Sequence, residues 1–215
     1  MKWLVSILVL FLIGGGGSCH PSRRSIEAFK LKEYCHKNRP LRVNDKIRSD
    51  GYYSYRIQYL EYATGRPIPE SFCIFYSDGM AIFDYHLDYF KEAKDRFLGF
   101  YNRGTQWGSY TVEGDTIRML VVESPGNTSW LSDEYTFKIE NKESIRLVSV
   151  SSPDYAENGA LNYLTNGTHI SEAGRFYPSD TLPDPDKSWL KHRKWYWCDK
   201  DQYKTWKKEY KKREK

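Results

Sequence analysis

Asp84, His86 and Asp88 alternate with Tyr85 and Leu87. In an extended strand that spacing puts two carboxylates and an imidazole on one face, a donor set that could hold a metal ion. A solvated surface strand reads the same way, so the pattern leaves both meanings open. Glu61 with Glu70, and Glu123 with Glu134, are carboxylate pairs that could serve as acid and base at a barrel mouth, as glycoside hydrolysis requires. Other catalytic signatures are missing: there is no Gly-x-Ser-x-Gly elbow, no phosphate loop and no His-Glu-x-x-His helix. The five histidines, His20, His36, His86, His169 and His192, are widely spread. The sequence therefore assigns no catalytic residue and implies no cofactor, and a hydrolase stands only as the alternative reading.

The thiol with the clearest chemistry is Cys19. Lys2, an apolar run from Trp3 to Ile13 and the small-residue segment Gly14 to Ser18 precede it. These are the three parts of a secretory signal, and the run is shorter than the roughly 20 residues that span a bilayer. Residues 1–18 are thus expected to be a signal peptide, with the mature chain starting at Cys19. A cysteine directly after the cut resembles the bacterial lipoprotein signal, whose thiol receives a diacylglyceryl group. That resemblance implies a lipid-anchored protein of the cell envelope; plain cleavage after Ser18 would give a secreted one. His20 is not the Asp that retains many lipoproteins at the inner membrane, and Arg23 and Arg24 are not an acidic surface-export signal. The expected address is the outer membrane, facing the periplasm.

With Cys19 acylated, Cys35, Cys73 and Cys198 remain, enough for at most one internal disulfide. A bridge from Cys35 to Cys198 would tie down both ends of the body, while Cys73 sits in an apolar strand and reads as a buried thiol. Sequence alone does not fix that pairing. No Cys or Cys/His spacing suits structural zinc.

Charge is unevenly placed. Lys187–Lys215 carries 12 Lys/Arg against 4 Asp/Glu, whereas the remaining chain carries 21 against 24. The basic character belongs to a tail, and an exported protein has no expected nucleic-acid partner. Aromatic content of 16%, with 18 Tyr and 7 Trp, is ample for a packed core.

These elements must position any site. A tether and N-terminal segment (19–40) leads to a strand-rich region (41–150). Gly51–Leu60 alternates as a half-buried strand does. Phe72–Tyr76 and Met80–Phe83 flank Ser77-Asp78-Gly79, a strong hairpin signal. Phe90, Ala93, Phe97 and Tyr101 recur at helical spacing, predicting a helical insertion. Further strands are expected at Trp107–Val112, Thr116–Val122, Glu134–Ile139 and Ser144–Val150. Residues 151–188, rich in Pro, Asp and Asn, read as a long loop with one short strand at Leu161–Leu164. Asp180, Asp184 and Asp186 there could gather calcium or simply form a solvated turn. Residues 189–215 form a basic, aromatic segment whose helix opens at Asp199 and Asp201 and places Tyr203, Trp206 and Tyr210 on one face. That stripe either packs on the body or lies at a membrane interface. The fold class expected is mostly β: an antiparallel meander closing a small barrel or sandwich, with a helical insertion and a C-terminal helix.

Phe75-Tyr76-Ser77-Asp78-Gly79, the run Trp107–Ile117 and the strand pair ending near Leu147 together resemble a lipocalin-like lipoprotein family of the Bacteroidota. The resemblance covers Gly51–Val150 and implies an up-and-down barrel in the envelope. The expected function is therefore a membrane-tethered module that holds a small apolar ligand or docks an envelope protein partner. Tyr53, Tyr55, Phe75, Trp107 and Tyr110 are the candidate ligand contacts, the same residues that would fill a small barrel's core. The alternative is an envelope hydrolase using carboxylates at the barrel mouth.

Overall fold

The computed structural model describes residues 34–37, 46–56, 70–84, 86–92, 101, 105–123, 131–151 and 172–215. The signal, Cys19, the tether, Glu61 and the expected strand at Leu161–Leu164 lie outside them. Eight strands form one closed antiparallel barrel in simple chain order: β1 (Gly51–Tyr55), β2 (Ser71–Phe75), β3 (Met80–Asp84), β4 (Gln106–Glu113), β5 (Thr116–Glu123), β6 (Leu131–Asn141), β7 (Ser144–Ser151) and β8 (Ala173–Pro178). The mostly-β meander expected from the sequence is the fold. A short helix α1 (Leu87–Glu92) follows β3, and helix α2 (Lys200–Arg213) ends the chain.

Tight turns connect β2 to β3, β4 to β5 and β6 to β7 at one end of the barrel. In the first, Gly79 takes a φ of 86°, which a side chain would resist. The Asp78 carboxylate accepts the Met80 N–H at 3.1 Å and fastens the same turn.

Two layers of apolar side chains explain why β1 and β2 are buried at every position. Inside the barrel, Tyr53, Tyr55, Cys73, Phe75, Phe83, Tyr110, Tyr135, Phe137 and Phe176 pack together with aliphatic residues. Outside, Phe72, Ile74, Ile82, Trp107, Leu120 and Val122 meet Leu87 and Phe90 of α1 and the C-terminal Trp189, Leu190, Tyr196, Trp197, Tyr203 and Trp206. A strand alternates its side chains between faces, so burial on both sides erases the alternation in sequence. The C-terminal segment thus forms a collar over one side of the barrel.

Three expectations need correction. Residues 151–188 are not only loop: β8 lies within them, and it closes the barrel by pairing Tyr53 with Phe176 and Ile145 with Gly174. Strand β3 ends at Asp84 and α1 starts at Leu87, so Asp84, His86 and Asp88 do not share one strand face. The C-terminal helix is confined to α2; Trp189–Cys198 before it runs as turns, with a 3-10 turn at Lys194–Tyr196.

Gly108 marks the tightest approach in the barrel wall. A Cβ there would lie 2.0 Å from the Leu120 carbonyl oxygen and 2.7 Å from Val121 Cα, both backbone atoms of the neighbouring strand. Gly108→Ala is expected to destabilise the protein by about 3 kcal/mol, read as a lower urea midpoint.

Candidate functional site

The β2–β3 turn projects Asp78 toward the segment that returns along the barrel's outside. There a 3-10 turn, Pro185–Lys187, is capped by Asp184, whose carboxylate accepts the Asp186 N–H at 2.9 Å. Four residues on, the Lys191 N–H donates to Ser188 Oγ at 3.1 Å, and the Lys191 carbonyl accepts Trp197 Nε1–H at 2.8 Å. Lys191 is only 3% exposed. Its ammonium is held between Asp78 Oδ2 at 2.7 Å and Asp186 Oδ1 at 2.6 Å.

Asp186 is the centre of this network. Besides Lys191, its carboxylate accepts Trp206 Nε1–H at 3.1 Å and Arg213 Nη2–H at 2.6 Å. Burial alone would raise its pKa, but the hydrogen bonds and charge of Lys191, with those of Arg213 and Trp206, outweigh it and bring the carboxyl down to about 2. The calcium reading of Asp184 and Asp186 is therefore replaced: one caps a turn and the other is matched by cations. A groove of about 480 Å³ opens over the network, bounded by Asp78, Asp184, Asp186, Lys191, Glu209 and Arg213. Lys191 and Arg213 are bridged to Asp78 and Asp186 across short hydrogen bonds, while the four carboxylates of the lining outnumber its two cations, an arrangement suited to holding two elements together and to receiving a polar partner.

Beside this network, His36 lies under Tyr196 with ring centroids 5.5 Å apart and meets the edge of Trp197 at 4.5 Å. Burial lowers its imidazole pKa to about 4. Cys35 and Cys198 form a disulfide that joins this N-terminal segment to the collar. Cys73 is a free, buried thiol, its pKa raised by desolvation.

The sequence-derived candidates fall in several places. Tyr53, Tyr55, Phe75 and Tyr110 belong to the inner cluster, whereas Trp107, expected with them, belongs to the outer one and stacks on Tyr76 at 5.8 Å. The inner four are engaged with one another and with the wall. Phe75 packs on Tyr110 at 4.9 Å and on Tyr53 at 5.9 Å. The Tyr110 hydroxyl donates to the Tyr76 carbonyl, and that of Tyr53 to the Lys142 carbonyl, each at 2.8 Å.

The carboxylates are dispersed. Ser54 Oγ donates to the Glu70 carboxylate. Glu134 accepts from Arg118 at 3.1 Å and lies beside Tyr34, whose hydroxyl is pushed up to about 12 by burial first and then by the Glu134 charge. In the β5–β6 ladder Glu134 faces Leu120 while Glu123 faces Leu131, three steps or roughly 10 Å along the strand. Asp84 pairs with His86 Nδ1 at 3.1 Å. Among the described residues no group of three or more His, Cys, Asp or Glu could hold a metal ion.

Fold and groove together define the class: an eight-stranded up-and-down barrel with an aromatic interior and a C-terminal collar locked on by a buried Lys–Asp network. No family model, curated protein or solved structure matches the chain.

Proposed function

We propose that the protein is a membrane-tethered envelope lipoprotein whose barrel is a scaffold for docking a partner outside it. The occupied interior carries this reading: Tyr53, Phe75, Tyr110 and Phe137 are held in ring-to-ring contacts and hydrogen bonds where a lipocalin-type ligand would have to sit. A polar concavity of about 480 Å³ lies outside the barrel, over Asp186 and Lys191. The signal-like run before Cys19 supports the tether. The hydrolase alternative draws no support from Glu134 or Glu70, whose carboxylates are taken up by Arg118 and Ser54.

Mass spectrometry of the protein extracted from its own membrane tests both halves. The denatured mass is expected to lack residues 1–18 and to carry acyl chains, and the native mass to match that acylated chain alone. An unmodified chain would sink the tether; a co-purifying apolar molecule of stoichiometric amount would sink the filled-scaffold reading.

A further inference from the structure

Helix α2 has two faces of opposite character. The inner one is fully engaged. The Tyr203 hydroxyl donates to the His192 carbonyl at 3.1 Å, and the Trp206 indole binds Asp186 while its ring packs on Trp197 at 5.3 Å and stacks on Tyr210 at 5.4 Å. These aromatics therefore pack on the body and are not at hand for a membrane interface. The outer face is a different matter.

Lys200, Lys204, Lys208, Lys211 and Lys212 are all exposed. At 100° per residue they fall within an arc of roughly 120°, opposite Tyr203 and Trp206, over a helix about 21 Å long. Asp201 is the one acid inside that arc, paired with Lys204 at 2.8 Å. Glu209 lines the groove on the helix's other flank together with Arg213. The outer face is thus strongly basic, five lysines against the single acid Asp201, while Glu209 lies on the groove side.

The tether bears on where that row can reach. Cys35 is bonded to Cys198, and backbone hydrogen bonds of His36 to Tyr196 (2.8 Å) and from Cys198 to His36 (3.1 Å) pin the N-terminal segment at the start of α2. Cys19 lies sixteen residues before Cys35, a reach of at most about 55 Å even when fully extended. A lipid on Cys19 would keep the lysine row within reach of the same membrane surface.

We propose that the lysine face of α2 docks on an anionic lipid surface, meeting headgroup phosphates. The tether's part rests on the acyl-anchor reading above; the docking itself does not. Each lysine near such a surface strengthens binding severalfold, and one acyl chain with a basic patch is a recognised two-signal anchor.

The test uses the mature chain from Cys19 carrying Cys19→Ser, so that no acyl group contributes. Co-sedimentation is measured with vesicles of phosphatidylcholine alone and of phosphatidylcholine mixed with phosphatidylglycerol. Binding is expected only to the mixed vesicles, with affinity falling about 100-fold in the variant K204Q/K208Q/K211Q/K212Q and disappearing at high salt. The four substitutions are at exposed positions, so an unchanged urea midpoint verifies that the fold is intact. Equal binding to both vesicles, or binding indifferent to the four lysines, would overturn the proposal, as would a preference for single-stranded DNA over the mixed vesicles. Failure of acylation in the native protein would remove the tether and leave this vesicle result standing.

Discussion

Replacing Cys35 and Cys198 by serine is expected to lower the unfolding free energy by about 4 to 5 kcal/mol, the largest loss foreseen for this chain. The bridge spans a separation of 163 residues, nearly the whole mature body. Chain-entropy cost rises with the logarithm of loop length, so a loop this long constrains the unfolded ensemble more than a short one does. A typical domain has only about 5–15 kcal/mol in total, and the serine variant should sit close to its unfolding threshold at about 37 °C. The native state changes too, because His36 rests on Tyr196 and Trp197 one residue from each half of the bridge. Urea unfolding followed by tryptophan fluorescence reads the effect, and reductant added to the parent protein should reproduce it. A difference below about 1 kcal/mol would sink the idea.

Asp186→Ala is the second large loss, about 3 kcal/mol. The substitution takes the shared acceptor from Lys191, Trp206 and Arg213 at once. Lys191 is then left buried with Asp78 as its only carboxylate partner among the described residues. Removing one member of a buried ion pair commonly costs about 3–5 kcal/mol; partial exposure of Asp186 places this case at the lower end. A double-mutant cycle with Lys191→Met should recover a substantial part, since the uncompensated charge leaves with the lysine.

Acid should act on the same assembly in two stages. A folded His36 with a pKa near 4 refuses a proton that the unfolded chain accepts near 6.5, so stability declines as pH drops through that window. Asp186 has the depressed carboxylate case: its contribution is complete above its ordinary value of 3.8 and is lost as pH falls through about 2. Asp186→Ala should therefore weaken the lower stage and leave the upper one in place, since burial is the main cause of the His36 shift. Unfolding midpoints collected across that pH range check both.

Much of the barrel was legible because turns declare themselves locally. Ser77-Asp78-Gly79 has the geometry its residues demand, and β2 to β7 follow from short apolar runs bounded by such turns. Asp199 at the start of α2 was equally readable, its carboxylate accepting the Asp201 N–H at 2.7 Å. Strand β8 was not. Ala-Gly-Arg-Phe-Tyr-Pro is short, holds a Gly and a Pro, and acquires its meaning only from β1 and β7, which lie far away in sequence.

The facing of Trp107 was only half readable. Trp107 and Tyr110 stand three residues apart on β4, so strand alternation puts them on opposite faces; because both faces are buried and apolar, the sequence does not mark which of the two points inward. The Asp186 network was hidden by composition. A segment with Pro183, Pro185 and three aspartates looks solvated, and nothing local indicates that Lys191, Trp206 and Arg213 converge on one of those carboxylates.

Closure of the barrel by β1 and β8 also dictates an order of events. Tyr53 lies near the start of the barrel and its partner Phe176 near its end, so β1 keeps a bare edge until the last strand arrives. An open sheet has two such edges, each a template on which a second chain can pair. Ring closure between strands so distant is intrinsically slow, and it is the step that ends this exposure. A product truncated before Ala173 would be a seven-stranded sheet with both edges permanently open, prone to aggregate however well its hairpins form.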